Sequence, residues 1–157
     1  MLAIEFLDEL VFGAWTAAWP AVRADLRLSY LEVGLLLSLP GLFGNAVEPA
    51  LGVLGDAWDR RRFVRAGGAV FAAALAGVAL SSGFTPLLVA MMLLNPASGA
   101  FVGLSQATLM DLEPRRHELN MARWTLAGSL GVVAGPLLLG AVLAAGLGWR
   151  AAFGAAA

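Results

Sequence analysis

The sequence predicts an all-α integral membrane fold, with five transmembrane helices followed by the start of a sixth. Three observations carry that expectation. Of the 157 residues, 60% are hydrophobic and 13% charged, and 19 glycines add about 12% more apolar chain, whereas soluble domains average roughly 45–50% apolar and 25% charged. Several uncharged runs match the need of a bilayer, whose hydrocarbon core of about 30 Å takes about 20 helical residues. The arginines, finally, collect in two of the connections between those runs.

The first predicted span covers residues 1–22 and contains Glu5, Asp8 and Glu9; the second covers 31–55 and contains Glu48. From Ala66 to Met110 lie 45 consecutive uncharged residues. That run divides into spans 64–81 and 86–110 at Ser81, Ser82, Gly83, Thr85 and Pro86, a polar cluster that breaks helices. Trp124 to Trp149 is a second run, of 26 uncharged residues, and supplies span 124–146. Residues 149–157 then open a helix of about two turns, too short to cross. The first span is flanked by acids, and a secretory leader would be basic there. The short last helix reads as a piece of a longer frame.

Arginine bias orients such a chain, because cytoplasmic connections carry the excess. Arg60, Arg61, Arg62 and Arg65 join spans two and three, and Arg115, Arg116 and Arg123 join four and five; Arg23, Arg27 and Arg150 lie opposite. Seven against three places the N-terminus in the cytoplasm, in a bacterial inner membrane. The chain has no cysteine and one histidine, His117. Thiolate metal sites, histidine metal clusters and a serine–histidine pair are thereby excluded, and no cofactor is implied. A net charge of −1 offers no basic field for nucleic acid. An intramembrane enzyme would lack a nucleophile–base pair. A half-size membrane protein acting as a homodimer or scaffold is the alternative that composition leaves open.

Two motifs are specific. At the end of span two, Gly52 is followed by Asp56, then Asp59 and the run Arg60, Arg61, Arg62. In span five, Gly131, Gly135, Pro136 and Gly140 combine small residues, which let membrane helices approach closely, with a proline that bends the helix. The first resembles the signature of the major facilitator superfamily, with Ala57 and Asp59 where a basic residue and a glycine are usual. The second resembles the glycine–proline motif of that superfamily's antiporters, and Gly148, Trp149, Arg150 and Phe153 follow as they do in many members. The string Phe6, Asp8, Trp19-Pro20, Leu28-Ser29-Tyr30 and Glu48-Pro49 is most similar to the drug and fosmidomycin-resistance-type efflux branch.

The resemblance implies the N-terminal six-helix bundle of a twelve-helix transporter, whose C-terminal half is missing from this segment. It implies a small-molecule substrate, protons as a second partner, and alternating access. Gly52, Asp56, Arg60, Arg61 and Asp111 would form a cytoplasmic gating cluster, with Gly52 admitting a close helix neighbour. The residues themselves indicate the pathway. Glu5, Asp8 and Glu9 stand at i, i+3 and i+4 on one helical face, which continues to Phe12, Thr16 and Trp19. Carboxylates inside a bilayer are costly and mark ion routes. Asp8, Glu9, Thr16, Asn45, Glu48, Asn95 and Gln106 are therefore the expected proton and substrate pathway. Trp124 and Trp149 are expected as interfacial anchors.

Overall fold

The computed structural model describes residues 1–57, 59–112 and 114–157; the side chain of Asp56 also lies outside what it describes. Among these residues the chain forms six helices: α1 (Leu2–Leu26), α2 (Tyr30–Ala57), α3 (Arg60–Ala79), α4 (Phe84–Leu112), α5 (His117–Ala144) and α6 (Trp149–Ala156). Four stretches are long and apolar enough to cross a membrane: Tyr30–Gly55, Arg60–Ala79, Phe84–Leu112 and Pro114–Ala144. The helices run past the apolar limits read from the sequence, because a helix once formed propagates cheaply into its charged ends.

Local chemistry sets the joints. Arg27, at φ 54°, ends α1 in the left-handed conformation. Asp59 caps α3: its side chain accepts a hydrogen bond from the Arg61 amide at 3.0 Å. Gly146, at φ 76°, makes the turn into α6, a backbone angle that glycine adopts without a Cβ penalty. α4 is interrupted at Gly99–Gly103 by one π-helical turn, just after Pro96, which cannot donate a backbone bond.

α1 packs along α5, α4 packs against α2 and α3, and α6 closes on α1 and α3. The α1–α5 seam is built from glycine. A Cβ on Gly131 would stand 2.5 Å from the Phe6 carbonyl oxygen, and one on Gly13 would stand 2.5 Å from the Val132 carbonyl oxygen. At Gly135 the Leu10 carbonyl and Ala14 amide occupy the same space. Gly140, grouped with them by motif, does not share the seam: nothing lies within 4 Å of its Cβ position. At about 100° per residue, its nine-residue step from Gly131 is a half-turn out of phase. The small residue that admits a neighbour at the end of α2 is likewise Gly55, against the Leu104 side chain at 2.6 Å; Gly52 has nothing within 4 Å.

Candidate functional site

Between α2 and α4, and closed off by α1 and α5, lies a polar cavity of about 340 Å³. Asn45 and Glu48 come from α2, Asn95 and Gln106 from α4, Glu5 from α1 and Trp124 from α5. Close helix approach makes room for these side chains without separating the backbones. A Cβ on Gly44 would be 3.1 Å from the Asn95 Cβ, and one on Gly99 would be 3.5 Å from the Glu48 carboxylate. The π turn widens α4 at the height of Glu48.

A second cavity, of about 220 Å³, shares Asn95 and Ser98 with the first and is otherwise walled by apolar and aromatic residues. Asp8 lines it, held by the Ser98 hydroxyl, which donates to Asp8 Oδ1 at 2.8 Å. A third recess continues from Glu48 past Gly99 and Gly103 to Gly52. The three openings form a lane along the α2–α4 seam.

Of the seven pathway residues expected from sequence, Asp8, Asn45, Glu48, Asn95 and Gln106 line these cavities. Glu9 lies instead against Gly128 and Gly131 in the α1–α5 seam. Thr16 is exposed and turns its hydroxyl back to the Phe12 and Gly13 carbonyls, at 2.7 and 3.2 Å. Glu5 and Ser98 belong to the site although the motif residues do not include them. Glu5 is only 8% exposed and sits beneath Gly128. The Trp124 indole donates a hydrogen bond to Glu5. Trp124 is therefore not an interfacial anchor, nor is Trp149, whose indole N–H donates to Asp25 at 3.2 Å while its ring is buried. The sequence signal for Ser98 was its three-residue step from Asn95 on α4.

At the opposite end from the α1–α2 turn, Arg60 Nη1 meets Asp111 Oδ2 at 2.6 Å, joining α3 to α4. Asp59 holds Arg62 at 3.4 Å in addition to capping α3. Asp59, which departs from the family signature, thus supplies the cap that the sequence reading gave to Asp56. The Asp56 side chain lies outside the described residues. Among the described residues, no group of three or more His, Asp or Glu side chains converges to hold a metal ion.

Comparison with known proteins fits this arrangement. Residues 1–157 match the family model described as Major Facilitator Superfamily. The chain is 35% identical over 151 residues to a chloramphenicol resistance protein of Pseudomonas aeruginosa, covering 95% of this chain and 36% of that protein. It is 29% identical over 133 residues to an MFS-type transporter, M6, of a Phoma species, covering 85% and 24%. It is 24% identical over 138 residues to the fosmidomycin resistance protein of Escherichia coli, covering 88% and 34%. The chain spans about a quarter to a third of the length of these relatives. With a whole-chain family match and four apolar helices of membrane-crossing length, it is a multi-pass membrane protein belonging to the major facilitator superfamily.

Proposed function

We propose that this chain is the N-terminal six-helix half of a proton-coupled efflux carrier for small molecules, with its N-terminus in the cytoplasm of a bacterial inner membrane. The reading rests chiefly on one observation: polar side chains from α1, α2, α4 and α5 converge on a cavity within the helices, with Glu48 facing Glu5 across it. Such groups have no packing value in lipid and mark a route for solute or ions. The resistance-type relatives favour export. On this reading α1 also crosses the bilayer, since its 25 residues extend about 37 Å. The second half of the carrier completes the cavity, and the two halves rock about it.

Proton exchange belongs to the carboxylates among Asp8, Glu9 and Glu48. Glu48→Gln in the full-length carrier is expected to leave its amount in the membrane unchanged while efflux loses its dependence on the pH gradient. Efflux that tracks pH as in the wild type would remove Glu48 from coupling. The Asp56, Arg60, Arg61 and Asp111 cluster holds one access state. The Arg60–Asp111 pair is partly exposed, with side chains 28% and 68% accessible, so breaking it costs less than about 1 kcal/mol of stability. Asp111→Asn and Asp56→Asn are therefore expected to change transport rate several-fold at constant protein level. A loss of folded protein in place of that rate change would make the cluster structural.

A further inference from the structure

The two cavities that share Asn95 and Ser98 differ in kind. The polar one has two ionisable residues in its lining, Glu5 and Glu48, facing Asn45, Asn95, Gln106 and Trp124. Among the described residues, the other has one, Asp8, at the edge of walls that include Phe12, Trp15, Leu36, Phe71 and Met91. An apolar cavity of about 150 Å³ accepts benzene, so about 220 Å³ accommodates one substituted aromatic ring. A few polar groups at one end of a mainly apolar pocket are the usual composition of a small-molecule site.

We propose that this second cavity is a substrate subsite for a single aromatic ring bearing a cationic or neutral hydrogen-bond donor, which Asp8 recognises. The inference rests on the carrier reading and divides its carboxylates: Asp8 reads substrate, and Glu48, in the neighbouring polar cavity, carries the proton. An ionised carboxylate accepts at about four lone-pair positions, so the Ser98 bond orients Asp8 and leaves acceptor capacity for a ligand. The same charge repels an anionic ring, and the low dielectric of the apolar walls strengthens both effects.

Gly41 allows a direct test. It lines this cavity, and a Cβ placed on it meets nothing within 4 Å, so Gly41→Phe fills the cavity without parting helices. Binding of benzylamine, benzyl alcohol and benzoate would be measured calorimetrically on the purified full-length carrier. Benzylamine is expected to bind at least about tenfold more tightly than benzoate, the range of a hydrogen bond to a charged group. Asp8→Asn should bring that ratio close to one and leave benzyl alcohol within about threefold, because the lost contribution is the charge. Gly41→Phe should abolish all three, and Gly140→Phe, also in open space, should not. Equal binding of benzoate and benzylamine by the wild type, or a ratio unmoved by Asp8→Asn, would overturn the proposal. So would intact binding in Gly41→Phe. Transport is read separately in vesicles. Binding that follows these expectations without carriage under any imposed pH gradient sinks the carrier reading and upholds the site. Carriage whose binding ignores both substitutions sinks the site alone.

Discussion

Gly135→Leu is expected to prevent α1 and α5 from docking and to lower the thermal unfolding midpoint by about 10 °C. The Cβ of any residue there falls on the Leu10 carbonyl and the Ala14 amide, with the Gly13 carbonyl carbon 2.9 Å away. These are backbone atoms of a continuous helix, so no rotamer change relieves the overlap. Overpacking costs about 1–3 kcal/mol where side chains can shift and more where they cannot. At about 2–4 °C per kcal/mol for a chain of this size, the upper end of that cost gives the stated shift. Gly140→Leu is the matched control, with the same residue change on the same helix and no atom within 4 Å of the new Cβ. Its midpoint should stay within about 2 °C of the wild type, in keeping with a surface change. Equal effects from both would mean that α5 responds to lost helix flexibility and not to the seam.

How much of this was legible beforehand follows from what membrane sequences encode. Length and placement of the helices were readable because bilayer thickness and charge gaps fix them: Ala66 to Met110 had to make two helices, and the turn lies where Ser81 to Pro86 allows it. The Arg60–Asp111 contact was foreseeable because both residues lie at the same end of neighbouring spans. Rotation of each helix was less legible. A span that is apolar all round has no amphipathic stripe to say which face meets which neighbour, and small residues are then the surviving signal. That signal identified Gly131 and Gly135 but also drew in Gly140, which only the observed phase of α5 excludes. Trp124 was misplaced for a related reason. A tryptophan near a helix end reads as an interfacial anchor until the partner helix is known, and here α1 brings Glu5 beneath it. The π turn at Gly99–Gly103 left no periodic trace, since one extra residue in a glycine-rich stretch changes no apolar count. Asp59 was read as a disturbance of the family turn because its value lies in a single local bond, to the Arg61 amide.

The second large effect concerns how α6 is held, where an ion pair and an aromatic contact compete as explanations. Phe153 is 2% exposed, with its ring set edge-on to Trp15 at 5.0 Å and to Trp149 at 6.0 Å. Truncating such a residue costs about 3–5 kcal/mol, so Phe153→Ala is expected to release α6 from α1 and α3. Fluorescence of the neighbouring tryptophans and protease access to the α5–α6 turn would report the release. Arg150 bonds Asp25, beyond the end of the first span, and also donates to the Ser81 carbonyl at 2.8 Å. The Asp25–Arg150 side chains are about half exposed, which limits that pair to about 1 kcal/mol or less. Asp25→Asn removes it and leaves the Ser81 bond, so its effect at neutral pH should be small. Its pH dependence is distinctive. The Arg150 guanidinium beside Asp25 holds that carboxyl below its ordinary value of 3.8, against the opposing cost of burial. The contribution is therefore complete above that value and lost as the pH falls through the lower, folded one. Wild type and Asp25→Asn should converge in thermal midpoint under strong acid, whereas Phe153→Ala should stay apart from both at either pH. Convergence of all three in acid would assign the docking of α6 to the ion pair; a constant Phe153 deficit assigns it to the ring, because apolar contact carries no proton to lose.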